Sequence, residues 1–148
     1  MRPSLFVAFA SLALTAAAPE PQNIVMTRVF PQPGQLGLFI AAADGTNEQP
    51  LGSAADADYN ASWAPDGDTI VFTSERNGSA DLYRVRRDGT ALQRLTDSPA
   101  YDDQAAVSPD GTEVVFVTTR ADGTADLWTM DVRTRAAKPL TSGPGGDF

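Results

Sequence analysis

The chain contains no histidine and no cysteine, so Ser-His and Cys-His nucleophile systems are absent from it. The usual His/Cys clusters that hold transition metals go with them. Carboxylates are the groups left with which it could do chemistry. The densest run of oxygen ligands is Asp56-Ala57-Asp58-Tyr59-Asn60, spaced like the opening of a calcium loop. Ala61 falls where such a loop turns on glycine, and Gly67 where it closes on a bidentate glutamate. Calcium is therefore a weak expectation, and no other cofactor is expected. The same stretch aligns with Tyr101-Asp102-Asp103 and with Gly146-Asp147. That recurrence favours a structural role, with Asp58, Asp102 and Asp147 bonding backbone at links between repeated units.

Carboxylate-pair catalysis needs two groups roughly 5–9 Å apart in one cleft, and no spacing here brings two together. No catalytic residue is expected, and no G-x-S-x-G elbow, P-loop or G-x-G-x-x-G occurs. Asp66 and Asp110 stand inside Pro-Asp-Gly turns, where aspartate bonds its own backbone. Arg76 and Arg120 recur at strand ends, where pairing with acids of a neighbouring strand is favoured; exposed pairs of that kind add little stability. Tyr59 and Tyr101 fall at link positions and are candidates for a surface contact. Asn77-Gly78-Ser79 offers a glycosylation acceptor at a hairpin tip in a eukaryotic host, whereas Asn60-Ala61-Ser62 enters a strand and is hindered.

These residues are positioned by a repeat. Pro65-Asp66-Gly67 recurs as Pro109-Asp110-Gly111, 44 positions on, and Phe72 and Arg76 recur as Phe116 and Arg120. After one inserted residue, Asp81-Leu82-Tyr83 matches Asp126-Leu127-Trp128 and Leu95-Thr96 matches Leu140-Thr141. A weaker earlier copy holds Leu38-Phe39, Asp44-Gly45-Thr46 and Leu51. Each copy predicts four short strands: in the middle copy Ala61–Trp63, Thr69–Ser74, Asp81–Val85 and Leu92–Leu95. Proline presets φ in the first turn, glycine takes its left-handed position, and Asn77-Gly78 suits a hairpin. A four-stranded unit of about 40–45 residues is the signature of a propeller blade. The aromatic side chains Trp63, Phe72, Tyr83, Phe116 and Trp128 then serve as packing between blades. The expected fold is all-β: a partial propeller of about three four-stranded antiparallel blades in an open ring, cut at 24–68, 69–112 and 113–148.

Trp63-Ala64-Pro65-Asp66-Gly67, the strand Ile70 to Arg76, Asp81-Leu82-Tyr83, Asp88-Gly89-Thr90 and Leu95-Thr96 resemble the WD-like repeats of TolB-like β-propellers. The resemblance covers about Ile24 to Phe148. It implies a propeller fold and, as in periplasmic TolB, partner binding. Such blades also stand beside serine-peptidase domains and in polysaccharide-degrading proteins. The expectation is a secreted or periplasmic, non-enzymatic scaffold for a protein or ligand; the alternative is the propeller part of an exported hydrolase or lyase. The sequence departs from the repeat at Val107, where tryptophan is usual, at Asp131-Val132-Arg133-Thr134, and in the opening hairpin Pro31–Gly37.

The N-terminus reads as a secretory signal: Arg2, an apolar run from Leu5 to Leu14, then small residues. Residues 1–17 form that segment and 18–23 a linker. The run is too short for a membrane span of about 20 residues. A formal charge of −8 repels phosphate backbones, so nucleic acid is an unfavoured partner. Three blades fall short of the 4–8 that close a ring, so further blades, a protein partner or self-association are the partners expected. The register puts Gly145-Gly146-Asp147 in a link to a further blade.

Overall fold

The computed structural model describes residues 23–30, 36–52, 56–121, 123–143 and 145–148. The expected signal, the linker up to residue 22 and most of the opening hairpin lie outside the described residues. Three antiparallel sheets follow one another along the chain, each a meander in sequence order. The first holds β1 (Asn23–Val29), β2 (Leu36–Ala42) and β3 (Gln49–Leu51). The second holds β4 (Asp58–Trp63), β5 (Thr69–Ser74), β6 (Asp81–Arg86) and β7 (Gln93–Arg94). The third holds β8 (Asp102–Val107), β9 (Glu113–Thr118), β10 (Asp126–Asp131) and β11 (Ala137–Pro139). Strand β4 lies against β1 and β2, and β8 against β4, β5 and β6. The arrangement is that of successive propeller blades. Among the described residues no helix is long and apolar enough to cross a membrane.

Two details differ from the sequence reading. The first blade has three strands among its described residues, not four, because β2 aligns with the third strand of the later blades. The sheets also break near 52–57 and 95–101, whereas cuts at 68/69 and 112/113 pass through the hairpin joining a blade's first two strands. The repeat has the expected period but a different phase, since backbone pairing, not motif spacing, defines a sheet.

Strand β5 shows why the blades stack. Ile70 and Phe72 point into an apolar cluster with Leu38 and Leu51 of the first blade. Val71 points the other way, into a cluster with Ala105, Val114, Phe116 and Met130 of the third. Every residue from Ile70 to Ser74 is buried, so both faces of this alternating strand are covered, as in the middle layer of a stack. In β4 and β8 the pairing register shifts between Tyr59 and Ser62 and between Asp103 and Ala106. Asn60 and Gln104 sit in those bulges with φ of 50° and 54°, and a bulge re-aims side chains.

Candidate functional site

The recurring aspartates and arginines form one construction, repeated in two blades. Asp58 opens β4 and is buried; both its oxygens accept from Arg76 Nη2 at 2.9 Å. The Arg76 guanidinium lies 4.8 Å from the centre of the Tyr83 ring and 5.8 Å from that of Phe72. In the third blade Asp102 is fully buried and takes Arg120 through Nη2 at 2.6 Å and Nε at 3.2 Å. Arg120 in turn covers Phe116 and Trp128 at 5.4 and 5.6 Å.

This corrects two expectations. The side chains of Asp58 and Asp102 hold arginines, not link backbone, and the pairs are buried at their acidic ends. The weak calcium reading is displaced as well: Asp58 is engaged by Arg76, and Asp56 lies 3.7 Å from the same guanidinium. Among the described residues no three metal-ligating side chains gather. Asp147 keeps the backbone part of the pattern: its N–H donates to Ala125 O at 2.6 Å, as Asp102 N–H does to Ala80 O at 3.0 Å.

The closing Leu-Thr pairs have a similarly plain cause. Leu95 fills the cluster between blades, and the Thr96 hydroxyl accepts the N–H of Leu82 at 2.9 Å, satisfying an edge donor of β6. Thr141 does the same for Leu127 at 3.1 Å.

Tyr59 and Tyr101 meet each other across the seam, hydroxyl to hydroxyl at 2.8 Å. Tyr59 donates to Glu75 Oε1 at 2.9 Å, so its single proton is committed and Tyr101 is the donor between them. Burial, then these hydrogen bonds, raise the Tyr59 phenol well above its ordinary value. Tyr101 remains 45% exposed. The Asn77 side-chain nitrogen, the atom a glycan would use, donates to the Tyr83 hydroxyl at 2.6 Å. Asn60 donates to Asp103 Oδ1 at 2.9 Å, and Thr73 to the same oxygen at 2.7 Å. Asp103 thus ties the second and third blades together.

The two Pro-Asp-Gly turns converge on one cleft. Asp66 Oδ1 accepts the N–H of Asp68 and of Thr69 at 2.9 and 2.8 Å. Asp110 Oδ1 accepts the Thr112 N–H at 3.1 Å and the Ser108 hydroxyl at 2.6 Å. Gly67 and Gly111 take φ of 67° and 75°, which side chains disfavour. A Cβ on Gly111 would also stand 3.6 Å from Pro65 Cγ, so the turns of adjacent blades touch. Between them opens a cleft of about 390 Å³, walled by Val71, Leu95, Val107, Val114 and Val132, with Asp66, Asp110 and Arg84 as its charged groups. Val107, a departure from the repeat in the sequence, lines this cleft. Trp63, its larger equivalent, packs against the cluster of the neighbouring seam.

The Ser108 hydroxyl, then the Thr112 N–H and hydroxyl, hold the Asp110 carboxyl down to about 2. The unfolded carboxyl titrates near about 3.9. A depressed folded pKa stabilises above the unfolded value and is lost as pH falls through the folded one. Asp110→Asn should therefore lessen the loss of urea resistance between about pH 4 and pH 2. Urea midpoints of both proteins at pH 5 and pH 2.5 check this; equal losses would refute it.

The TolB beta propeller domain family matches residues 8–147. Among solved structures, a chain assigned as TolB from Agrobacterium tumefaciens is 27% identical with a TM-score of 0.73, over 80% of this chain and 45% of that one. TolB from Acinetobacter baumannii is 21% identical with a TM-score of 0.70, over 80% of this chain and 29% of its own. An oligogalacturonate lyase solved with manganese shares the fold at 21% identity and a TM-score of 0.56, over 72% of this chain and 29% of the lyase. This chain spans less than half the length of each of these structures. A comparison with curated proteins found no match. Repeat, stacked blades and family match agree, and the chain belongs to the TolB beta propeller domain family.

Proposed function

We propose that the chain is an exported, non-enzymatic binding module whose ligand or protein partner enters the cleft between the second and third blades. The observation that carries this reading is the cleft itself, apolar on its walls and charged at its polar groups, at the one aligned position where valine replaces tryptophan. Its size and its relation to Trp63 suit an aromatic side chain of a partner. The non-enzymatic part rests on the carboxylates: the buried Asp58 and Asp102 are occupied as struts, as is Asp81 by Arg94 at 2.7 Å, and Asp66 and Asp110, which the fold unexpectedly brings into one cleft, accept hydrogen bonds from their own turns. Export rests on the N-terminal residue pattern.

Val107→Trp tests the proposal. Cavity-filling changes commonly stabilise by about 0.5–2 kcal/mol, and the variant should melt several degrees higher. N-acetyl-tryptophanamide should show saturable binding to the wild type by saturation-transfer NMR and none to Val107→Trp. Equal binding to both, or to neither, would sink the cleft as a binding site.

A second reading is the propeller part of a longer exported hydrolase or lyase. The shared fold with the lyase, most of whose chain lies outside the match, favours it. Catalytic residues in a continuous reading frame beyond Phe148 would select this reading.

A further inference from the structure

The seam between the second and third blades carries a second cavity, which the seam between the first and second builds differently. It has a volume of about 510 Å³ and borders the cleft, sharing Arg84, Gly111 and Val132 with it. Three arginines line it: Arg84 from β6, and Arg133 and Arg135 from the turn between β10 and β11. The equivalent place in the first seam is a cavity of about 400 Å³ whose charged residues, Arg87 and Asp88, are of opposite sign. There Ile40 stands for Arg84, since Ile40 pairs with Gln49 as Arg84 pairs with Gln93. The turn changes in the same sense. The strand ends Ala42, Arg86 and Asp131 pair with Asn23, Thr69 and Glu113, and two residues on stand Asp44, Asp88 and Arg133. An acid in two blades is a base in the third. The third turn is also longer, closing from Asp131 to Ala136 where the second closes from Arg86 to Thr90, and Arg135 lies in it.

Arg28, Arg76, Arg86, Arg94 and Arg120 each pair with an acid; among the described residues Arg84, Arg133 and Arg135 pair with none. Arg84 is half-buried, and its Nε donates to Gln93 Oε1 at 2.8 Å. That bond fixes the guanidinium and leaves its Nη groups without an acceptor among the described residues. Asp131, the acid that lines the cavity, accepts at Oδ1 the N–H of Arg133 and of Thr134 at 3.0 and 2.6 Å. Asp66 and Asp110 on the cleft are likewise engaged by their own turns. Three like charges around one cavity repel one another, and an anion relieves that repulsion; the planar fork of a guanidinium fits a carboxylate. The formal charge of −8 disfavours a dense polyanion. We propose that the cavity receives carboxylate side chains of a protein partner beside the aromatic group that the cleft admits, so that the recognised segment is an aromatic residue flanked by acidic ones. This rests on the cleft as a binding site and adds the charge of what binds there.

The test titrates the full chain, by calorimetry, with two blocked tripeptides, acetyl-Glu-Trp-Glu-amide and acetyl-Gln-Trp-Gln-amide. The wild type should bind the acidic peptide about tenfold more tightly than the neutral one. Arg133 and Arg135 are exposed and serve their turn through backbone N–H groups, so the double variant Arg133→Gln with Arg135→Gln should keep the far-ultraviolet spectrum. Its preference should fall below about twofold. Arg87→Gln, in the first-seam cavity, should keep the full preference. Equal affinity of the wild type for both peptides overturns the proposal and leaves the cleft standing; binding of neither overturns both. A preference that survives in the double variant overturns the proposal, because the arginines are then not its source. Loss of the preference in Arg87→Gln does so as well, because overall charge would then explain it. Tighter binding of a single-stranded oligodeoxynucleotide than of the acidic peptide would assign the arginines to phosphate and overturn the proposal too.

Discussion

Arg120→Met is expected to destabilise the protein by about 3–5 kcal/mol, the cost of leaving a buried charge without its partner. Asp102 is fully buried and its carboxylate faces Arg120 and the Thr118 hydroxyl at 2.5 Å, so with the guanidinium gone it loses its counter-charge and keeps the Thr118 hydroxyl. The reverse change costs less. The Arg120 side chain is 20% exposed, and in Asp102→Ala a long, flexible arginine can swing its head toward solvent while its stem stays on Phe116 and Trp128. We expect about 2–3 kcal/mol for Asp102→Ala. The double variant should lose less than the sum, because neither charge is then stranded. Urea unfolding of the four proteins completes the cycle. Equal single losses with strict additivity would mean that the pair is not a unit, and Arg76 with Asp58 should repeat the pattern.

That construction also marks what the sequence made legible. The period, the Pro-Asp-Gly turns and the strand Thr69–Ser74 could be read directly, because turn chemistry and β-branched alternation are local properties. So could the pairing of Arg76 and Arg120 with acids of a neighbouring strand, but the whole strut could not, since its parts lie on separate elements: the aspartate opens one strand, the arginine follows the next, and the aromatic rings lie on two strands. A signal was present. Asp58 to Arg76 and Asp102 to Arg120 have the same separation of 18 residues, and two groups of opposite charge recurring in step invite pairing. Burial was the missing term, because it depends on the neighbouring blade. The same gap explains the cleft: Val107 was visible as an exception, but its meaning needed Trp63 in place in the adjacent seam.

Phe72→Ala and Phe116→Ala, at equivalent positions, should differ in size and in which blade opens first. Removing a buried phenylalanine costs about 3–5 kcal/mol, and the spread depends on how far the site can collapse. Phe72 is 2% exposed in the middle blade, stacked on Tyr83 with ring centres 5.9 Å apart and packed in the cluster that Trp63 covers. Little there can move inward, so Phe72→Ala belongs near the upper end. Phe116 shares its cluster with Val107, beside the open cleft, where side chains have room to relax; Phe116→Ala belongs near the lower end. The blade that opens differs because a stack of repeats is held by nearest-neighbour interfaces. Phe72 holds the first blade to the second, and its loss should let that blade open first. Phe116 holds the third blade to the second, and its loss should let that blade open first. Trp63 and Trp128 lie in different seams, so single-tryptophan versions, Trp63→Phe and Trp128→Phe, report the two separately. In Phe116→Ala the Trp128 signal should change at lower urea than the Trp63 signal, and in Phe72→Ala the order should reverse. Coincident signals in both variants would show that the three blades unfold as one unit.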